Sequence, residues 1–433
     1  MGRVVVVGGG FGGTATAARL AKRGHDVRLV ERLDQLGGAV GYIEQDGFRW
    51  DAGPTSTALP AVLRDLFRKS GRPLEKELDL VPVEPMREHR FEDRSVLAMP
   101  SGSRGAQLEA VDAGLGEGLG QQWVDYVHGF AESWDVLRRT YFEQPYRPEH
   151  VDKSSRSLLH TRETLHKVVA KTFKDERLRQ VALFQSMMDG HDPRNVPSWM
   201  GLWSYVEQNF GVWTVPGGMG ALAGAMTKRL SERKVDVLLG TTAVDLRIER
   251  GRVVGVDTDQ GSIDADVVVC AVDPRVLPVL ASHVTRTMPA IPPVVCHLGL
   301  VGDVPDLPHE VVLHGDPTLV VRTNGTAPDG AAAWTVLGRG RLSEDIVVAL
   351  ARHKVDVREQ LEVRIDRSPR HQVEQLAGSA YGVLWQGRTT INRKLSRTPY
   401  AGVYCAGAHG AAGAGLPFVG LSAAVVSELV GPA

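Results

Sequence analysis

Residues 3–13 read Arg3-Val4-Val5-Val6-Val7-Gly8-Gly9-Gly10-Phe11-Gly12-Gly13, and Glu31 follows 18 residues after the last glycine. The four valines are a short β-branched run, the pattern of a strand buried on both faces. Ala15, Ala17, Ala18, Leu20 and Ala21 then predict a helix with a small-residue face. His25–Glu31 (HDVRLVE) predicts the strand that completes a βαβ unit. Between strand and helix, the glycines fit G-x-G-x-x-G, and each has its own task. Gly8 permits the tight turn, Gly10 lets the backbone approach a pyrophosphate, and Gly13 lets the helix pack on the sheet. Phe11 and Gly12 open the helix, whose free N–H groups and partial positive charge suit phosphates. Glu31, followed by Arg32, stands where a carboxylate accepts hydrogen bonds from ribose hydroxyls. A glycine turn without a ligand is the alternative, and the acid at the expected distance argues against it.

The glycine turns beyond Glu31 separate FAD from NAD. Leu36-Gly37-Gly38-Ala39 and Gly47-Phe48-Arg49-Trp50-Asp51-Ala52-Gly53-Pro54-Thr55-Ser56 supply further turns along a longer, extended ligand. Pro216-Gly217-Gly218-Met219-Gly220 opens a helix through Leu230. Strands predicted over 235–239, 243–249, 252–258 and 265–271 read as a β-meander over the adenine end. There Ala243-Val244 offers a backbone contact to the base, with core packing as the alternative for Val244, and Ala271 returns the chain to the cofactor at the sheet edge. Near the C-terminus, Cys405-Ala406-Gly407-Ala408 ends a strand and Gly413-Ala414-Gly415-Leu416-Pro417 precedes a helix over 418–429. Pro417 has no N–H to lose at a helix start, and the free N–H groups beyond it favour the negative charge of a reduced flavin. Gly407, Ala408, Leu416, Pro417, Phe418 and Val419 are therefore expected beside the ring.

The expected fold is α/β: a Rossmann-like FAD-binding domain of the glutathione-reductase type, interleaved with an α+β substrate domain. The first is assigned residues 1–56, 212–290 and 386–433, and the substrate or cap domain 57–211 and 291–385. Residues 57–210 read as mostly helical, 294–340 as further strands and 343–361 as a helix. A formal net charge of -1 gives no field to attract nucleic acid. Three cysteines without CxxC spacing predict neither a disulfide framework nor a thiol redox pair, and a reducing, cytoplasmic compartment. No metal-ligand spacing occurs. The N-terminus reads as mature structure. The uncharged stretch 398–427 is broken by glycines and Pro417, so a soluble or peripheral protein is expected.

Trp203, Tyr205 and Trp213, close to Trp199 and Phe210, and Trp385 before the last strand are candidates to line an apolar substrate tunnel. Core packing is their alternative. No residue declares itself a catalytic base, and His309, His314 and His409 are scattered. A helix from Lys153 to Arg179 carries eight Lys and Arg, a solvated face or one attracted to an anionic membrane.

These motifs resemble the phytoene desaturase family, within the larger group that includes the flavin amine oxidases. The resemblance covers nearly the whole chain: the N-terminal glycines, Gly47–Thr55, Pro216–Leu222, His314-Gly315-Asp316-Pro317-Thr318 and, most specifically, Gly413–Pro417. It implies FAD as sole cofactor, desaturation of long isoprenoid chains by hydride transfer to the flavin, and peripheral membrane contact. The sequence departs from the family in three places. Ala39 replaces a common arginine, Gly410-Ala411-Ala412-Gly413 replaces Thr-His-Pro-Gly, and the region around 100–150 is short, which reduces the membrane-docking part. Two alternatives stay open: an amine or amino-acid oxidase, against which the lack of an aromatic residue over 410–414 counts, and a flavoprotein partner without turnover.

Overall fold

The computed structural model describes residues 2–387, 390–392 and 396–433; residues 388, 389 and 393–395 of the expected 386–433 segment lie outside it. A five-stranded parallel sheet is built in the order Asp236–Leu238, Asp26–Val30, Arg3–Val7, Val267–Cys270 and Val403–Cys405. Val4–Val7 are buried from both sides, as a central parallel strand requires. Helix Phe11–Lys22 packs against helices Ala221–Glu232 and Leu416–Val430. Ala15, Ala17 and Ala18 are fully buried there, and their small size lets two helices close on a third.

Two expectations change at this sheet. The antiparallel meander consists of Ala243–Glu249, Arg252–Thr258 and Gly261–Asp264 only. The flanking runs Asp236–Leu238 and Val267–Cys270 join the parallel sheet instead. Val268, Val269 and Cys270 are buried on both faces, which a meander with one solvated side does not offer. The strand before Ala271 is interior, paired with Arg3–Val7 and Val403–Cys405, so Ala271 leaves the sheet from its middle, not its edge.

A second sheet has seven strands in the order Leu361–Arg367, Val294–Val301, Ala331–Arg339, Thr318–Arg322, Glu310–Leu313, Arg87–Arg90 and Val96–Met99. Its last two strands come from the segment read as mostly helical. The inward positions of Arg87–Arg90 are Arg87 and His89, so the apolar alternation that marks a strand is missing. Their partners come from elsewhere: Glu310 for Arg87 and His314 for His89. The expected helix over 343–361 is shorter, Ile346–Arg352, and Lys354 turns left-handed behind it before the strand at Leu361 begins. The basic stretch 153–179 is not one helix. Asp152, Thr164 and Asp175 each accept a backbone N–H and start Lys153–Leu159, Leu165–Thr172 and Glu176–Met188 separately.

The hairpin Tyr42–Gln45/Phe48–Asp51 joins the two sheets. Trp50, 1% exposed, donates its indole N–H to Leu298 O at 3.1 Å. Asp51 accepts Met219 N, Gly220 N and Asn324 Nδ2 at 3.1, 2.7 and 2.8 Å. The second glycine turn is thus an anchor for a buried carboxylate. Burial raises the Asp51 pKa against those three hydrogen bonds.

A Cβ on Gly13 would lie 1.8 Å from Gly8 O. Gly13→Ala is expected to force helix and loop apart, costing about 1–3 kcal/mol. Thermal unfolding should show a lowered Tm and purified protein a reduced flavin content; a wild-type Tm would remove the packing role of Gly13.

Candidate flavin site

One cavity of about 500 Å³ runs between the parallel sheet and the substrate-side elements. Of the residues expected at the cofactor, Gly8, Gly10, Phe11, Gly12, Glu31, Arg32, Gly37, Gly38, Ala39, Pro54, Thr55, Ser56, Ala271, Gly407, Ala408, Leu416, Pro417, Phe418 and Val419 line it. Gly13 does not, because it faces the back of the glycine turn, against Gly8 O. Val244 is outside too: it is 52% exposed, and Thr241, Thr242 and Ala243 form the wall at that end.

The cradle is held by backbone contact between distant segments. A Cβ on Gly12 would stand 2.8 Å from the Gly407 Cα, and one on Gly38 would stand 3.0 Å from the Gly10 Cα. A Cβ on Gly10 would meet nothing within 4 Å, so Gly10 faces open space. Glu31 braces the turn: Oε2 accepts Gly9 N at 2.6 Å and Oε1 accepts Leu33 N at 2.8 Å. Arg32 donates to Glu374 O and Gln375 O. Thr55 Oγ1 is buried on the cavity wall and finds no partner among the described residues. An orphaned hydroxyl, a helix starting at Leu416 with Pro417 in its first turn, and open space at Gly10 together fit a bound dinucleotide.

Beyond the C-terminal loop the wall is aromatic. The Trp203 and Phe418 rings meet edge to face at 4.8 Å, Phe142 lies 4.9 Å from Phe418, and Trp199 meets Trp385 at 5.1 Å. All five line the cavity. Tyr205 and Trp213, expected with them, do not. Two steps along helix Leu202–Phe210 rotate a side chain about 200°, so Tyr205 points away from Trp203 and packs toward Trp134. Trp213 follows Val212 on a strand; Val212 faces the cavity, and alternation turns Trp213 outward, where its N–H donates to Phe210 O.

Sequence reading missed the charged residues of the cavity wall. Arg87 donates to Glu310 at 2.6 Å and to Glu207 at 3.1 Å, and Arg322 donates to Glu310 at 2.8 Å. Burial would raise the Glu310 pKa, but Arg87 and Arg322 outweigh it and hold it at about 2. Asp189 stands nearby with Gln185 Nε2 donating at 3.0 Å; burial pushes it up to about 6. The inward strand position of Arg87 is visible only in the fold, and its partners lie 120 and 223 residues away.

The histidines also separate. His314 stacks on Phe91 and lies 2.9 Å from His89; burial and then Arg87 lower it to about 4. His309 is lowered by burial as well. His409 is on the cavity wall, 3.4 Å from Asp273, and His191, also on the wall, accepts Trp385 N at 3.4 Å.

The family described as flavin containing amine oxidoreductase matches residues 11–415, and the chain belongs to it. It is similar to a zeta-carotene-forming phytoene desaturase of Myxococcus xanthus, 33% identical over 282 residues, covering 63% of this chain and 53% of that protein. A phytoene dehydrogenase of Streptomyces griseus is 32% identical over 329 residues, covering 72% and 63%. The chain thus matches little more than half the length of these relatives. The fold is that of a putrescine oxidase (TM-score 0.72, 16% identity, covering 99% and 98% of the two chains) and of the cyclohexylamine oxidase of Brevibacterium oxydans (0.68, 16%, 99% and 99%). The expected kinship with phytoene desaturases holds, and FAD is the cofactor. Among the described residues no helix is long and apolar enough to cross a membrane.

Glu31→Ala removes both braces of the glycine turn and is expected to weaken flavin retention at least tenfold, read as bound flavin per protein after dilution. Arg87→Met leaves Glu207 without its partner and Glu310 with Arg322 alone, and should cost about 3–5 kcal/mol in denaturant unfolding. Glu310 has a depressed pKa, so its contribution is whole above its ordinary value of 4.5 and is lost as pH falls toward about 2. Glu310→Gln should therefore flatten the wild-type loss of stability below pH 4.5; an unchanged acid limb would contradict this.

Proposed function

We propose that the chain is an FAD-dependent dehydrogenase or desaturase that removes hydride from a substrate with an apolar, isoprenoid-like body. The observation that carries this is the continuity of the aromatic wall with the cofactor cradle through Gly415 and Phe418. A bound flavin supplies the hydride acceptor, its N5. The protein's part is to align and to exclude water. Trp203 and Phe418 confine the substrate beside the C-terminal loop, and Trp199 and Trp385 continue the surface. The first turn of helix Leu416–Val430 directs its dipole at the ring end, favouring negative charge there.

The same reading assigns 1–56, 212–290 and 386–433 to the cofactor unit and 57–211 with 291–385 to the substrate unit; the memberships of the two sheets support it. A cytoplasmic location with peripheral membrane contact goes with it. Met288 and Ile291, 55% and 65% exposed, support the contact, because the chain there pairs with the cavity-lining segment at Val383.

Anaerobic mixing with an isoprenoid polyene precursor is expected to bleach the flavin absorbance, and Trp203→Ala to slow it at least tenfold. Peroxide release on adding simple amines, without bleaching by any isoprenoid, would replace this reading with an amine oxidase.

A further inference from the structure

The cavity has an aromatic surface and a charged one, which meet along helix Leu202–Phe210 at Trp203 and Glu207, and a pure hydrocarbon suits only the first. Arg87, Glu207, Glu310 and Arg322 satisfy one another in an alternating chain, two positive and two negative. Asp189 and Tyr381 line the same cavity and stand outside that chain. The Asp189 carboxylate takes one side-chain hydrogen bond among the described residues, from Gln185 at 3.0 Å, whereas a carboxylate has about four acceptor sites. Arg339, whose charge reaches Asp189 and Tyr381, donates instead to Met188 O and Ile291 O, both at 2.9 Å. The Tyr381 hydroxyl has no hydrogen bond among the described residues; only its backbone N–H is used, toward Ser379. A hydrocarbon laid over these groups would strip their water and return nothing, whereas a donor group repays the loss.

We propose that the substrate's apolar body ends in a hydrogen-bond donor, a hydroxyl or a protonated amine, and that Asp189 and Tyr381 receive it. This rests on the oxidoreductase reading and adds the substrate's polar end. An alcohol donates its O–H to the Asp189 carboxylate and accepts the Tyr381 O–H; an ammonium donates to both residues' oxygens. The groups that set the charge of Asp189 are Gln185, Arg339 and Arg322, which favour ionisation, and Glu207 and burial, which oppose it; the balance is a pKa of about 6. The charge-assisted part of donor binding is therefore full above that value and weakens as pH falls through it.

The test uses flavin-loaded protein with geranylgeraniol, geranylgeranylamine and the hydrocarbon of the same chain. Binding is read by tryptophan fluorescence and, in parallel, anaerobic flavin bleaching is recorded. Both polar probes are expected to bind at least tenfold more tightly than the hydrocarbon at pH 8; below pH 6 the amine should lose that advantage and the alcohol only a few-fold of it. Asp189→Asn keeps an acceptor but no charge, and should cost the amine about tenfold and the alcohol only a few-fold. Tyr381→Phe should weaken the alcohol more than the amine, raising KM with kcat little changed. Equal affinity for all three probes, no binding by any, or unchanged affinities in both variants would overturn the proposal. The two readings fail separately. Bleaching by the hydrocarbon without a polar preference sinks the subsite and keeps the oxidoreductase; a polar preference without bleaching by any probe does the reverse.

Discussion

The close approach of Gly12 to Gly407 is the constraint on which the rest of the molecule depends. A Cβ on Gly12 would stand 2.8 Å from the Gly407 Cα, so two segments nearly four hundred residues apart meet backbone to backbone. That contact puts the start of helix Phe11–Lys22 beside the loop that begins helix Leu416–Val430. The cavity wall is then continuous from the glycine turn to Phe418. A side chain at Gly12 would open the seam, and the phosphate end would lose its fixed distance from the ring end.

The second sheet is tied to this cradle by polar contacts that are buried and therefore expensive to break. Trp50 reaches Leu298 O, and Asp51 gathers Met219 and Gly220 from one distant turn and Asn324 from another segment. Arg322 extends the link, donating to Gly53 O as well as to Glu310. The hairpin at Tyr42–Asp51 therefore holds the substrate-side sheet against the cofactor side, and Gly53–Thr57 crosses the cavity wall between them. The second glycine turn takes its form from the same arrangement: its backbone N–H groups serve Asp51, not a phosphate.

Much of the cofactor end was legible because its information is local. G-x-G-x-x-G lies within six residues, and Glu31 is placed by one strand, one helix and one strand. The substrate end was not, because its information is pairwise across the fold. Tyr205 and Trp213 looked equivalent to Trp203 in sequence, but helix rotation and strand alternation send them elsewhere. Val244 was one residue from the wall, and in a strand one residue changes the face. The meander was drawn too wide since antiparallel and parallel strands of similar composition differ only in their partners.

By itself, the sequence determined the buried valine strand, the glycine turn with its acid, the helix of small residues, and the proline-led last helix. Each depends on the conformational limits of a few neighbouring residues, and those limits hold wherever the chain goes. Tertiary structure alone decided that Arg87 and His89 face inward on a strand, that Glu207 and Glu310 neutralise that arginine, and that Asp189 and Tyr381 share its cavity. The physical reason is the cost of burying charge. An isolated arginine or carboxylate reads as a surface residue, and only a partner brought from a hundred residues away makes it an interior one.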